Sequence, residues 1–391
     1  MRDRAPALAS APEDRAGALL TVDLAAVVEN WRRLKRLAPA CDVGAVVKAD
    51  AYGLGLAPVA RALAAAGCGT FYVAHLDEAA ALRGHLGPGP RIVCLHGPTP
   101  GRTERDFAGL HVVPVLSTPG QIKAWRGFAA TNDVLMDSIV QVDTGMQRLG
   151  LTETEFRAHL DDPDGFLGLH PWALMSHLAC ADTPAHPLNR LQRERFVSAL
   201  ASFRGRFADA RGSLCNSAGM LLGAPWLFDI ARPGIALYGS NPRRDAPGTA
   251  PWPVVPVVRL LARILQVRRV DAAAPVGYGA TVQAPDGAKL ATVAMGYADG
   301  LFRAASPGGH GLLDGQTVPI LGRISMDLTI FDVSQVPDSA AQAGGFIELI
   351  GSHHTVDDLA REAGTVGYEV LAALGRRFHR RYLPAPQGSG A

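Results

Sequence analysis

The sequence predicts an α/β architecture: a (β/α)8 TIM-like barrel followed by a C-terminal predominantly β domain. Three observations carry this expectation. Eight short apolar runs alternate with helix-like stretches between about residues 43 and 238, which suits a closed barrel. Polar residues capable of chemistry cluster at the ends of those runs. After Tyr238 the texture changes to strand-like runs divided by Gly and Pro turns. A chain of 391 residues has room for two cores. A doubly wound open sheet is the competing architecture, but no G-x-G-x-x-G follows an early strand, which favours the barrel.

Residues 1–17 mix Ala, Pro and charge without periodicity and read as a disordered leader. The barrel domain is expected over 18–245. It opens with ALLTVD as a short strand, and Asp23 offers an N-cap to a helix carrying Leu24, Val27, Val28, Trp31 and Leu34. VGAVVKA, GTFYVAH, RIVCLHG, VVPVLS, SIVQVD, ALMSHLA, GSLCNS and GIALYG then read as strands, with helices such as Leu56 to Ala66, Leu76 to Leu86 and Pro187 to Phe203 between them. NPRRDAPGTAPWP reads as a linker at 241–253. The β-rich domain follows over 246–384, with helical stretches at Val356 to Ala363 and around Tyr368 to Leu374 and a last strand in RRFHRRYL. Residues 385–391 read as an unstructured tail.

Composition excludes several function classes. Lys and Arg number 38 against 36 Asp and Glu, a formal charge of +2, too little to hold a nucleic-acid backbone on charge alone. Five cysteines at irregular spacing, with no C-x-x-C pair, point to a reducing compartment. No signal-peptide core and no charge-free stretch of membrane-spanning length is visible. The expectation is a cytoplasmic protein with no nucleic-acid or membrane partner.

Lys48 is the residue around which the chain is organised. It ends the apolar run of AVVKADAYGLG, and a strand-end amine that loses water has a lowered pKa and becomes a usable nucleophile. A lysine that merely snorkels from the strand tip is the other reading. Lys48, Tyr52, Arg148, His177, Asn216, Ser217 and Arg232 all fall at the ends of barrel strands, which converge on one face in this architecture.

AVVKADAYGLG resembles the cofactor-lysine motif of the alanine racemase family. The resemblance runs from about residue 18 to 384 through VDTGMQRLG, HLACAD, CNSAG, ARPGIALYG, VGYGATV, MGYADG, GRISMD and GYEV, in the family's order. It implies a pyridoxal 5'-phosphate enzyme interconverting L- and D-alanine, with Lys48 covalently linked to the cofactor. It assigns phosphate contacts to Tyr52, Ser217, Gly234, Ile235 and Tyr368, with Asn216 in the same neighbourhood. Backbone N–H groups at a Gly turn plus hydroxyls suit a phosphate that has no lysine clamp.

The resemblance places Arg232 at the pyridine nitrogen. A guanidinium only donates, so the ring nitrogen stays unprotonated and the ring is a weaker electron sink, which favours prompt return of the proton over transamination. His177 supports Arg232 and the catalytic tyrosine, and Arg148 contacts the cofactor phenolic oxygen and the substrate carboxylate. Racemisation needs an acid/base group on each face of the substrate carbon. By resemblance Lys48 serves the D-side and Tyr278 the L-side, with His177 or Arg232 lowering the phenol pKa.

The same resemblance implies a head-to-tail homodimer in which Tyr278, Tyr297, Met326 and Asp327 complete the partner's pocket. Met326 gives the substrate carboxylate a backbone N–H, while Tyr297 and Asp327 narrow the entrance. One position departs from the family pattern. Where many relatives carry a carbamylated lysine seven residues before Arg148, this chain has Gln141. Either its amide oxygen holds Arg148 or an anion fills the gap.

A racemase of broader specificity, or one for serine or a basic amino acid, shares these blocks. A pyridoxal-phosphate-binding homeostasis protein lacks the second domain, and a related decarboxylase needs an acid where Arg232 stands. D-Alanine for peptidoglycan is the expected product; a catabolic role stays open.

Overall fold

The computed structural model describes residues 10–243 and 254–384. The tail at 385–391, most of the linker at 244–253 and the leader residues 1–9 lie outside the described residues. The described residues form two compact units, one within 25–255 and one joining residues 10–24 to 256–384.

The first unit is a parallel barrel. Its strands follow one another in chain order: Thr70–Val73, Arg91–Cys94, Val112–Leu116, Met136–Gln141, Leu169–Met175, Arg211–Ser213 and Ile230–Ala231. The first strand is a single run broken at Gly44, with Asp42–Val43 pairing with Ile230–Ala231 and Ala45–Val46 pairing with Phe71 and Tyr72. Gly44 N–H donates to Ala231 O at 3.0 Å and Val46 N–H to Pro233 O at 2.9 Å, so this run closes the barrel. A Cβ at Gly44 would lie 2.7 Å from the Tyr72 ring and 2.8 Å from Thr70 O, which is why the closing strand carries glycine there. The strands Thr70–Val73 and Val112–Leu116 are buried at every residue, as parallel strands covered on both faces must be.

GIALYG, expected as the last barrel strand, is instead a 3-10 turn at Ile235–Tyr238, and the strand lies just before it at Ile230–Ala231. All four residues of that turn are buried, and a short, wholly buried apolar run carries no period that separates strand from helix.

The second unit is β-rich. Val258–Arg269 is its spine: the first half pairs antiparallel with Ala18–Asp23 and Phe346–Ile350, and the second half with Lys289–Val293. Ala18–Asp23 also pairs in parallel with His379–Leu383. The strand ALLTVD, grouped with the barrel in the sequence reading, thus belongs to this sheet. Its apolar spacing predicts a strand but carries no information about the partner strand.

Residues 10–17 of the leader are also more ordered than composition implies. Pro12–Arg15 forms a helical turn, held by Arg263, whose Nε donates to Ala16 O at 3.0 Å and Nη2 to Glu13 O at 2.8 Å. The Glu13 carboxylate in turn accepts from Arg381. Arginines more than 240 residues away decide this, so the local sequence could not.

Candidate active site

In a closed parallel barrel the C-terminal strand ends share one rim. Lys48 follows Ala45–Val46, the Arg148 loop follows Met136–Gln141, and His177 follows Leu169–Met175. Asn216 and Ser217 follow Arg211–Ser213, and Arg232, Gly234 and Ile235 follow Ile230–Ala231. The structure thus brings these predicted residues of the first unit to one end of the barrel.

Lys48 is half-buried, and loss of water pushes its amine below the ordinary lysine pKa; the Arg148 guanidinium adds to this and Glu78 opposes it. The chain then makes an unusual turn. Ala49, Asp50, Ala51 and Tyr52 all have φ between 53° and 56°, one left-handed helical turn of non-glycine residues, each costing roughly 1–2 kcal/mol. Strain of this kind persists only where surrounding structure imposes it. Glu78 does so: Oε1 accepts the Ala49 N–H at 2.6 Å, and Oε2 accepts those of Ala74 at 2.8 Å and His75 at 3.1 Å. Asp50 Oδ1 accepts the Leu56 N–H at 2.7 Å at the far end of the turn.

Arg232 is buried with its charge held in place. Nη2 donates to Ser176 O at 2.7 Å and lies 3.4 Å from His177 Nδ1, and Nη1 donates to Ser213 Oγ. Burial first, then Arg232, Arg148 and Lys48, push the His177 imidazole down to about 3. His177 is therefore neutral at ordinary pH and offers Nδ1 as an acceptor to the guanidinium.

Beside them is a small cradle of donors. Ser217 Oγ accepts the N–H of Gly234 at 2.9 Å and that of Ala236 at 3.3 Å. Asn216 Oδ1 caps the Ser217–Met220 turn through Gly219 N at 2.9 Å. A Cβ at Gly234 would lie 2.3 Å from Tyr52 Oη, so the glycine admits the phenol to the cradle. Tyr52 also packs on Tyr238, ring centroids 4.7 Å apart, whose Oη donates to Val46 O at 2.8 Å.

Tyr278, Tyr297, Met326, Asp327 and Tyr368 belong to the β-rich unit. Tyr278 stands on the turn between Ala274–Val276 and Val282–Ala284 and is 73 % exposed. Tyr297 N–H donates to Ser325 O and Ala298 N–H to Met326 O, both at 3.0 Å, which gathers Tyr297, Met326 and Asp327. Arg377 bridges Asp327 at 2.7 Å and Asp299 at 2.7 Å. Tyr368 lies at the start of Gly367–Ala373 and is exposed.

Two family models match the chain in succession: the alanine racemase N-terminal domain over residues 22–242 and the alanine racemase C-terminal domain over 257–382. The chain belongs to the alanine racemase family. An alanine racemase of Rhodospirillum rubrum is 48 % identical over 379 residues, covering 97 % of this chain and 99 % of that relative. A relative from Mesorhizobium japonicum named alanine racemase, catabolic, is 44 % identical, covering 95 % and 94 %. Among solved structures, the Bartonella henselae alanine racemase with covalently bound pyridoxal phosphate superposes with a TM-score of 0.88 at 37 % identity, covering 94 % of this chain and 100 % of that one.

For this alanine racemase family member, sequence reading missed the residues that hold the Arg148 loop. Asp143 Oδ1 accepts the N–H groups of Gly145 and Met146 at 2.7 and 2.8 Å, and Oδ2 accepts that of Gln147 at 2.8 Å. Gln192, fully buried on the Pro187–Arg206 helix, donates to His177 O at 2.9 Å and Thr144 Oγ1 at 3.2 Å, tying two strand ends together. An Asp followed by a Gly-bearing turn was the one available signal. Gln141 departs from the first of its two expected arrangements. Its Oε1 accepts from Ser117 Oγ at 3.4 Å and its Nε2 donates to Leu149 O at 3.0 Å, so it holds the backbone beside Arg148 and its amide oxygen is committed to Ser117.

Proposed function

We propose that this protein interconverts L- and D-alanine using pyridoxal 5'-phosphate. The observation that carries the reading is the single rim bearing a low-pKa Lys48 amine, the buried Arg232 with its neutral His177 neighbour, and the Ser217–Gly234 cradle. These residues fit the cofactor by their chemistry. The cradle offers the Ser217 hydroxyl beside a Gly-bearing backbone turn, a setting suited to a phosphate, while Arg232 is a permanent donor for a ring nitrogen. When bound, pyridoxal phosphate acidifies the α-hydrogen of an attached amino acid by delocalising the charge left behind.

Lys48 holds the cofactor and moves the α-proton at Nζ on the D-side. Tyr278 Oη serves the L-side, contributed by a second copy of the chain in a head-to-tail homodimer together with Tyr297, Met326 and Asp327. Tyr278 and Met326 are 73 % and 53 % exposed, so both are available to a second copy of the chain. Arg148 orients the substrate carboxylate, with Met326 adding a backbone N–H; Tyr52, Ser217, Gly234, Ile235 and Tyr368 hold the phosphate. Arg232 keeps the ring nitrogen unprotonated and so holds the enzyme to proton return. No helix among the described residues is long and apolar enough to cross a membrane; a cytoplasmic enzyme supplying D-alanine for peptidoglycan is the reading we favour.

The test is loss of optical purity of L-alanine in deuterated buffer. The wild type is expected to form D-alanine with deuterium at the α-carbon. Lys48→Ala is expected to lose both turnover and the visible absorbance of the lysine-linked cofactor; Tyr278→Phe is expected to keep the colour and lose most turnover. A fully active Tyr278→Phe enzyme overturns the two-base scheme, and faster racemisation of L-serine than of L-alanine overturns the substrate.

A further inference from the structure

Three side chains in the β-rich unit take no part in this chemistry. His310 opens the His310–Leu313 strand, His354 lies in the turn after Phe346–Ile350, and Glu362 ends the Val356–Glu362 helix. His310 Nδ1 lies 2.6 Å and His354 Nε2 3.1 Å from the same Glu362 Oε1, and the three atoms lie within 4.8 Å of one another. The imidazoles stack with centroids 4.2 Å apart. His354 is 1 % exposed and its Nδ1 has no hydrogen-bond partner.

We propose that His310, His354 and Glu362 form a binding site for one divalent cation of the zinc type. Two imidazole nitrogens and a carboxylate oxygen are a donor set of the right softness for such an ion. Zinc bonds of about 2.0–2.1 Å in tetrahedral geometry place ligand atoms roughly 3.3 Å apart. The two nitrogen-to-oxygen separations of 2.6 and 3.1 Å reach that spacing by sub-ångström side-chain shifts, and the two nitrogens lie within 4.8 Å of each other.

Each ligand is held from behind. Glu362 Oε2 accepts the His310 backbone N–H at 3.2 Å, which orients the carboxylate. Gly351 N–H donates to His354 O at 2.7 Å, and Thr355 caps the following helix through Asp358 N, which fixes the turn that carries His354. Ligation through Nε2 puts the ring proton on His354 Nδ1, a buried atom with no hydrogen-bond partner, a cost that the metal bonds must exceed. Ligation through His310 Nδ1 likewise places its ring proton on Nε2. The cation would take the place of the two contacts to Glu362 Oε1, with water in the fourth position. The ion would clamp a strand, a turn and a helix and so stabilise this unit.

The experiment uses the tag-free holoenzyme, equilibrated with zinc sulfate and dialysed into metal-free buffer. Zinc per chain is read by atomic emission, and the thermal midpoint is measured with and without zinc. The wild type is expected to retain about one equivalent and to gain several degrees of thermal midpoint. His310→Gln and Glu362→Gln, both at partly exposed positions, are expected to lose both effects while keeping the wild-type circular dichroism spectrum and racemase turnover. Zinc absent from the wild type, or retained equally by the variants, overturns the proposal and leaves a purely hydrogen-bonded trio. If the variants lose their fold, cobalt(II) added to the wild type decides it: tetrahedral visible bands support the site and their absence overturns it.

Discussion

Gln141 Nε2 donates to the carbonyl oxygen of Leu149 at 3.0 Å, one residue beyond Arg148. A buried amide therefore positions this arginine through its neighbour's backbone. Replacing it with Gln141→Leu leaves the Leu149 carbonyl and the Ser117 hydroxyl short of a partner, at about 1–3 kcal/mol for a buried group. If Arg148 orients the substrate carboxylate, KM for alanine should rise about tenfold, the equivalent of about 1.4 kcal/mol, with a smaller fall in kcat. Steady-state kinetics on the two enzymes checks this, and an unchanged KM counts against the positioning role.

Glu78 holds the left-handed turn after Lys48 through three backbone N–H groups. Glu78→Gln puts an NH2 group against one of those donors and removes a charge-assisted bond worth about 1.5–3 kcal/mol. The thermal midpoint should fall, and kcat should drop at least about tenfold as the Lys48 backbone relaxes. Because the Glu78 charge raises the Lys48 pKa, the amine of the cofactor-free variant should titrate lower than in the wild type. Amine acylation rates followed against pH would reveal the shift or its absence.

His177 gives the protein an acid limb of its own. Unfolded, the imidazole takes its proton near 6.5; folded, it does so at about 3. Between these values the unfolded chain holds the extra proton, so the stability due to neutral His177 is full above pH 6.5 and is lost as pH falls toward 3. His177→Gln should therefore show a smaller drop in urea midpoint between pH 7 and pH 4.5. An equal drop in both proteins would assign the acid limb to other groups.

The Gly234→Ala substitution tests the cradle. A Cβ there would sit 2.3 Å from Tyr52 Oη. Tyr52, packed on Tyr238, would have to leave. Cofactor affinity should fall at least about tenfold, or about 1.4 kcal/mol, as read by absorbance titration of the cofactor-free protein. An unchanged affinity would remove Tyr52 and Gly234 from the phosphate site.

Much of this site was legible because barrel chemistry sits where strands end. Lys48, His177 and Arg232 each follow a short apolar run, and that adjacency is visible in one dimension. Glu78 and Gln192 were not legible for a common reason: each works by meeting backbone groups of another segment, and no residue pattern marks which carbonyl or N–H will be near, whereas Asp143 binds N–H groups two to four residues on in its own loop. KADAY reads as a polar turn, yet nothing in its letters shows that the turn winds left-handed.

By itself the sequence determined the alternation that makes a barrel, the β-rich second unit and the family blocks, because these depend on local periodicity and on residue type. Only the tertiary structure decided that Ala18–Asp23 pairs with Val258–Arg269, that Gly44 closes the barrel, and that the Gln141 amide holds Leu149. Those outcomes depend on which hydrogen-bonding edges and buried polar groups meet across more than a hundred residues or around a tight loop, and a linear pattern does not encode such encounters.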